Sequence, residues 1–132
     1  MKGLRIAHLN IQGLATSYNG LFHVFANNPE IDVLTLSETH IIQNSTDDTD
    51  SLYDIPNYTF IKRNRTAWKG GGVAIYIRNG LNWKRRQDLE NESIESLWIE
   101  FYTHKAKKFL IASCYRPPNG SNYLSQNYTE FL

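Results

Sequence analysis

A strand, helix, strand pattern occupies the first 37 residues and constrains the fold more than any other feature of the chain. Apolar periodicity predicts a strand over 4–10, a helix over 17–27 with Ser17 as its N-cap, and a second strand over 31–37. Such a βαβ unit leaves its two strands parallel in one sheet, with a right-handed crossover. The residues expected on the buried face of the helix are Leu21, Phe22 and Phe25.

Both strands of this unit lead into side chains that carry oxygen atoms. Asn10 ends the first strand, and Glu38 directly follows the second without an intervening Gly or Pro. If the strands are neighbours, both side chains emerge at the carboxyl edge of the sheet, where open α/β folds bind ligands. A carboxylate and an amide oxygen suit Mg²⁺, which takes about six oxygens. Taken singly, each residue also fits a turn or a helix start.

The remainder of the chain, up to about residue 120, has the two-residue period of β-strands. Predicted strands cover 58–63, 72–78, 93–102 and 109–115, after a polar acidic loop at 43–50. The glycines of KGGGVAIYIR lead into a strand and no GK[ST] follows, which excludes a P-loop. An α/β sandwich is therefore expected rather than a doubly wound sheet. Within the 93–102 strand, one face is predicted to carry Leu97, Ile99 and Phe101 and the other Trp98, Glu100 and Tyr102, as in a half-buried strand or one between two sheets.

Composition excludes several classes of protein. A net charge of +1 and a hydrophobic content of 41% predict a globular core without a general attraction to nucleic acid. No segment has the roughly 20 apolar residues of a membrane span, so we expect no membrane partner and an intracellular protein, nuclear or cytoplasmic. The single cysteine, Cys114, lies in the apolar run FLIASCY and is predicted to be a small buried residue in a reducing compartment.

Two further groups of residues suit an anionic ligand. The segment CYRPPNG ends a strand on Tyr115 and Arg116, and the two prolines stiffen its exit; a guanidinium and a phenol both bind phosphate oxygens well. Basic residues also cluster near tryptophans and could serve a nucleic-acid backbone, although each cluster taken separately fits a solvated loop better. These residues are Lys62, Arg63, Arg65, Trp68, Lys69, Trp83, Lys84, Arg85 and Arg86. None of the histidines shows metal-ligand spacing or an evident carboxylate partner.

In chain order, LNIQGL, LSETH, GGGVAIYIR and CYRPPN resemble the amino-terminal half of the endonuclease/exonuclease/phosphatase superfamily. They most resemble the apurinic-endonuclease-like domain of jockey-like or chicken-repeat-like non-LTR retrotransposons. The resemblance implies a four-layered α/β sandwich, with two packed β-sheets flanked by helices, that nicks DNA using Mg²⁺ or Mn²⁺. It implies that Glu38 is a metal ligand, that Asn10 orients a metal-bound water or the phosphate, and that Tyr115 contacts the phosphate. A phosphate contact by Arg116 is our own inference.

The family pattern continues with motifs that this chain lacks: the Asp and Asn of a GDFN-like segment, a further Asp and a final Asp-His pair. The 17 residues after Tyr115 (132 minus 115) contain no Asp and no His. We therefore expect residues 1–132 to be a partial domain, truncated at its C-terminus, with an apolar sheet face left exposed. A reverse transcriptase is expected to follow the domain in the full-length protein.

Two alternatives stay open at this stage. The chain is compatible with another phosphodiesterase or phosphatase of the superfamily, such as a sphingomyelinase-like or inositol-phosphate enzyme. It is also compatible with a catalytically inactive remnant that binds nucleic acid.

Overall fold

The helix and strands follow the predicted order, with one strand more than expected. The computed structural model describes residues 3–40, 53–63, 72–90, 94–103 and 107–115. The unexpected strand, Trp83–Arg85, is followed by a short 3₁₀ helix, Gln87–Leu89. The elements are β1 Ile6–Asn10, α1 Leu14–Asn27, β2 Val33–Ser37, β3 Tyr58–Arg63, β4 Val73–Arg78, β5 Trp83–Arg85, β6 Glu95–Tyr102 and β7 Lys108–Tyr115.

The strands form two sheets. The first has the order β1-β2-β4-β3 and the second the order β5-β6-β7. β1 and β2 are parallel neighbours, as the βαβ pattern predicts, and all other pairs are antiparallel. Since β1 and β2 are adjacent and parallel, their carboxyl ends lie side by side at one edge of the first sheet.

Apolar side chains fill two layers, one on each side of the first sheet. Between α1 and this sheet lie residues such as Leu21, Phe25 and Tyr76. Between the two sheets, Ile75 of β4 belongs to the same buried cluster as Ile99 of β6. The expected α/β sandwich is thus confirmed, and the described residues supply a helical layer and two sheets. A buried hydrogen bond of 2.8 Å from Oγ of Ser113 to the Leu36 carbonyl also joins the sheets.

The helix begins three residues earlier than predicted, and Ser17 is not its N-cap. Gly13 holds that position, with φ at 105°, and Leu14 is the first helical residue and fully buried. Ser17 lies inside the first turn, where its hydroxyl donates to the Ile11 carbonyl at 3.3 Å. The burial of Leu14 outweighs the capping preference of serine. Phe22 was also placed wrongly, since it is 40% exposed.

The outer face of the second sheet corrects one expectation. Cys114 is exposed there rather than buried in the core, because Ser113 takes the inward position on β7. Glu100 of β6 also lies on this outer face and is only 5% exposed. Arg86 donates to its carboxylate at 2.5 Å, which compensates the buried charge.

Several predicted features fall outside the described residues. They are the acidic loop at 43–50, the glycines at 70 and 71, and the segment from Arg116 onward with its helical pattern. Among the residues that the structure does describe, α1 is too short and too polar to cross a membrane, and no other helix there qualifies.

Candidate active site at the carboxyl edge of the first sheet

Asn10 and Glu38 meet at the carboxyl edge of β1 and β2. In the parallel register, Asn10 lies opposite Ser37, which places it beside the turn that begins at Glu38. The Asn10 amide Nδ2 donates a hydrogen bond to Glu38 Oε2. The predicted proximity of these two side chains is therefore confirmed. The amide nitrogen makes this contact, and the amide oxygen of Asn10 and the carboxylate oxygens of Glu38 are the hard ligand atoms of the pair.

Three backbone hydrogen bonds hold the Glu38 turn against the start of α1. The carbonyls of residues 37, 38 and 39 accept hydrogen bonds from the N–H groups of residues 11, 13 and 14 at 3.0, 2.8 and 2.8 Å. The start of a helix leaves N–H groups without helical partners. Here the turn after β2 supplies acceptors for them, so the position of Glu38 is coupled to the position of the helix.

The backbone of this edge adopts unusual conformations. Gln12, Glu38 and His40 have φ values of 49°, 57° and 59°, in the left-handed region that non-glycine residues rarely occupy. Such conformations cost of order 1–3 kcal/mol each and cluster at functional sites. At Glu38, the conformation aims a partly exposed carboxylate at the sheet edge, where the side chain retains 24% exposure.

His40 is the member of this cluster that sequence reasoning missed. Its Nε2 lies 3.8 Å from Glu38 Oε1, so the two oxygens of the carboxylate face different neighbours, Asn10 and His40. The spacing Glu-x-His carried a weak signal, because residues two apart share a face in a strand but have no fixed relation in a turn. Both residues have left-handed φ values here, so their contact depends on the conformation of this turn.

His8 serves the sheet rather than the edge. It lies two residues before Asn10 on β1, and its Nδ1 is 2.7 Å from the Thr35 hydroxyl. Its Nε2 is 3.4 Å from the Ser37 hydroxyl. Both contacts cross from β1 to β2, so this histidine ties the two parallel strands together below Asn10.

Tyr115 lies at the end of the last described strand of the second sheet. It ends β7, packs against the core between the sheets, and lies opposite Glu95 in the β6–β7 register. Glu95 accepts a hydrogen bond from the N–H of Gly72, at the start of β4. Gly72 in turn accepts a hydrogen bond of 3.2 Å from Thr39, the residue after Glu38. Tyr115 thus lies on the strand pair whose end is linked to the Glu38 turn, while Arg116 lies outside the described residues.

Two arginines of the basic clusters, Arg63 and Arg85, form hydrogen bonds within the protein. Arg63 donates to the carbonyls of Ile94 at 3.3 Å and Ser96 at 2.9 Å. Arg85 binds Glu90 with two hydrogen bonds of 2.9 and 2.8 Å. These contacts favour a structural role for Arg63 and Arg85 over a nucleic-acid contact. Arg65, Trp68 and Lys69 lie beyond the part of the chain that the structure describes.

Arg86 has a carboxylate on each side. Its hydrogen bonds to Asp88 and then Glu100 raise the pKa of the guanidinium further above its ordinary range. The same hydrogen bonds lower the pKa of both carboxyl groups. This guanidinium therefore fixes the outer face of the second sheet and is committed to internal partners.

The oxygen ligands present fit part of a divalent-metal site. Among the described residues, no group of three or more His, Cys, Asp or Glu side chains converges as a complete ligand set. Glu38 and Asn10 offer carboxylate and amide oxygens, which are the atoms that Mg²⁺ and Mn²⁺ accept. Since Mg²⁺ usually keeps several waters or substrate phosphate oxygens, two protein side chains are compatible with one face of such a site.

Comparisons with known proteins agree with the α/β fold described above. Residues 7–131 match the model of the Endonuclease/Exonuclease/phosphatase family. No curated protein sequence matches the chain.

Three solved structures share the fold. The AP endonuclease LMAP from Leishmania major is 17% identical with a TM-score of 0.76, over 97% of this chain and 46% of that one. The endonuclease domain of TRAS1, a telomere-specific non-LTR retrotransposon, is 16% identical with a TM-score of 0.62, over 96% and 52%. The 3′ phosphatase NExo from Neisseria, bound to product DNA hairpin, is 15% identical with a TM-score of 0.58, over 98% and 51%. The chain thus spans about half the length of these structures.

Proposed function

The chain is a member of the endonuclease/exonuclease/phosphatase family, and we propose that it forms the amino-terminal part of a metal-dependent endonuclease that nicks DNA. The observation that supports this best is the contact between Asn10 and Glu38 at the carboxyl edge of two parallel strands. A carboxylate that accepts a hydrogen bond from an amide at a ligand-binding edge is well placed to hold a cation for phosphodiester chemistry.

Glu38 has the central role in this proposal. Its carboxylate supplies the anionic ligand for Mg²⁺ or Mn²⁺, and the Asn10 amide supplies a neutral oxygen beside it. The ion, when bound, polarises a phosphoryl oxygen and lowers the pKa of water. The contacts of Glu38 with Asn10 and His40 restrict the rotation of its side chain, which keeps the carboxylate oriented before a ligand arrives.

The second sheet supplies the phosphate side of the proposed site. The Tyr115 hydroxyl is assigned to a phosphate oxygen of the DNA backbone, and the Arg116 guanidinium to a pair of such oxygens. Both residues belong to the end of β7 and the segment that follows it. A phosphodiester held between these groups and the Glu38 side would be oriented for in-line attack.

The biological setting is a further part of the proposal. We assign the chain to a non-LTR retrotransposon, jockey-like or chicken-repeat-like, with DNA as its partner and an intracellular location, nuclear or cytoplasmic. Residues 1–132 would be a partial domain, with the GDFN-like motif and a reverse transcriptase downstream. The motifs LSETH and CYRPPN support this assignment, as does the fold shared with the TRAS1 endonuclease domain.

The experiment that tests the function compares three DNA substrates. A polypeptide in which this chain forms part of a complete family domain would be incubated with three substrates. These are supercoiled plasmid, a duplex that holds an abasic site and a 3′-phosphorylated duplex. Plasmid nicking that requires Mg²⁺ or Mn²⁺ and is lost in Glu38→Gln supports the proposal. Cleavage confined to the abasic or 3′-phosphorylated duplex would indicate another phosphoesterase of the family. Binding of all three without cleavage would indicate the inactive remnant.

A further inference from the structure

Glu95, the first residue of β6, interrupts the apolar pattern on one face of that strand. Leu97, Ile99 and Phe101 alternate along β6 on the face that packs against the first sheet. Glu95 lies on the same face, two residues before Leu97, and is partly buried. An apolar residue would extend this row without the desolvation cost of a carboxylate. A charged side chain at this position therefore calls for a specific partner.

That partner is the backbone of Gly72, next to the Glu38 turn. The Gly72 N–H donates to Glu95, and the Gly72 carbonyl accepts the N–H of Thr39 at 3.2 Å. Thr39 directly follows Glu38 and is 1% exposed. A continuous path of two hydrogen bonds thus runs from the second sheet, through one glycine, to the residue beside the candidate metal ligand.

Packing at Gly72 leaves little freedom in this path. Gly72 has φ at 89°, and a Cβ placed on it would lie 2.3 Å from the Thr39 hydroxyl oxygen. That hydroxyl is buried, and the described residues offer it no hydrogen-bond partner. It is therefore positioned by contact with the glycine rather than by a bond of its own. A side chain at position 72 would therefore displace the Thr39 hydroxyl.

Glu95 is itself fixed from its own side. Arg63, at the end of β3, donates to the carbonyls of Ile94 and Ser96, which flank Glu95. The two sheets are therefore joined by two contacts of opposite direction. The Arg63 guanidinium of the first sheet binds the β6 backbone. The Glu95 carboxylate of β6 binds the backbone of Gly72, just before β4. Such crossed contacts restrict sliding of one sheet over the other at this edge.

We propose that Glu95 is a positioning residue of the site, which fixes the Glu38 turn against the second sheet through Gly72 and Thr39. This inference rests on the proposed function, because it takes Glu38 to be a metal ligand. Glu95 acts here through the backbone and makes no contact with the metal ion. A hydrogen-bond acceptor at this position is the requirement, so glutamine should preserve much of the effect and alanine should not.

Hydrogen exchange of the 132-residue chain tests the path without reference to activity. In Glu95→Ala, the amides of Gly72 and Thr39 should exchange roughly tenfold faster or more, since local opening becomes easier. Glu95→Gln should lie between the parent and the alanine variant. Glu100→Ala is the matched control, because it removes a buried carboxylate from the same strand on the opposite face. Unchanged exchange at Gly72 and Thr39 in Glu95→Ala would overturn the proposal.

Binding of Mn²⁺, followed by electron paramagnetic resonance, tests the consequence for the site. Glu95→Ala should weaken binding about tenfold, within the range typical of residues that support metal ligands. Glu100→Ala should bind as the parent does, and Glu38→Gln should lose binding. Mn²⁺ affinity unchanged in Glu95→Ala would overturn the positioning role. If Glu95→Gln lost Mn²⁺ binding completely while its amide hydrogen exchange stayed unaltered, Glu95 would be a metal ligand, and the positioning role would be overturned.

The two measurements separate this inference from the proposed function. If Glu38→Gln binds Mn²⁺ as the parent does, the metal assignment fails, and the positioning role fails with it. If Glu38→Gln loses Mn²⁺ while Glu95→Ala keeps both normal exchange and normal affinity, only the role of Glu95 fails.

Discussion

The amide of Asn10 donates a hydrogen bond to the carboxylate of Glu38, although 28 residues separate them along the chain. The contact exists because the two strands that carry these residues are parallel neighbours and end at one edge. This hydrogen bond joins the polar ends of the two strands into one cluster.

Glu38→Gln should abolish most DNA nicking by a polypeptide that includes a complete family domain. Glutamine keeps the size of the side chain but removes the negative charge that holds a divalent cation. We expect a loss of about 100-fold or more, at or above the range seen for residues that only support metal ligands. Plasmid nicking at limiting Mg²⁺ measures it. Glu30→Gln, at an exposed position before β2, is the control and should behave as the parent.

The two variants should have the same thermal unfolding midpoint as the parent within a few degrees. Nicking by Glu38→Gln at the parent rate under limiting Mg²⁺ would contradict the metal assignment.

Arg116→Ala should weaken the binding of DNA more than it slows the chemical step. A guanidinium that contacts phosphate in both the ground state and the transition state contributes uniform binding, so KM rises while kcat changes little. Steady-state nicking kinetics with the complete domain separate the two constants. A fall in kcat at unchanged KM would show that Arg116 acts in the transition state instead.

The 132-residue chain alone should bind Mn²⁺ without hydrolysing DNA. In-line hydrolysis requires a positioned water, a group that activates it and stabilisation of the leaving oxygen. The residues identified here supply the metal side and the phosphate side, and the chain spans about half the length of the solved structures that share its fold. Plasmid nicking with and without EDTA is the measurement. Robust activity, absent from Glu38→Ala, would implicate a residue such as His40 in completing the site.

Gly72→Ala should destabilise the fold, whereas Gly20→Ala should not. At Gly72, φ is 89° and the added Cβ would lie 2.3 Å from the Thr39 hydroxyl oxygen. We expect a loss of about 1–3 kcal/mol in the free energy of unfolding. Gly20 lies within α1 and a Cβ there meets nothing within 4 Å. Alanine at that position should stabilise the helix by about 0.5–1 kcal/mol. Urea unfolding of both variants measures the difference, and equal stabilities would contradict the packing at Gly72.

Stability should fall in acid in a manner that depends on Glu100. Hydrogen bonding to Arg86 lowers the pKa of this carboxyl below its ordinary value of 4.5. Because the folded pKa is the lower one, the ion pair stabilises the protein above the unfolded pKa and loses its effect as the pH falls through the folded pKa.

The check is the urea midpoint of the parent and Glu100→Gln as a function of pH. The parent should be more stable at pH 7, and the two midpoints should converge as the pH drops below about 4. A constant difference down to low pH would show that the charge of Glu100 does not contribute.

Much of this fold follows from local pattern alone. The parallel β1–β2 pair was predictable because an apolar strand, an amphipathic helix and a second apolar strand have few ways to bury their faces together. The alternation of Leu97, Ile99 and Phe101 likewise assigned the inner face of β6 correctly. The meeting of Asn10 with Glu38 follows from the same parallel arrangement, since strands that run together end together.

Local patterns therefore predict the layers, the parallel pair and the edge at which the candidate site lies. The construction of that edge depends instead on packing between distant parts of the chain. Three features of this edge depend on contacts across 20 or more residues or between the two sheets. They are the left-handed backbone at Glu38 and His40, the helix start at Leu14 and the contact between Glu95 and Gly72. Periodicity reports which face of an element is apolar, because burial repeats along the chain. A carboxylate that binds one distant N–H group leaves no repeating signal, and its role becomes visible only when the sheets are packed.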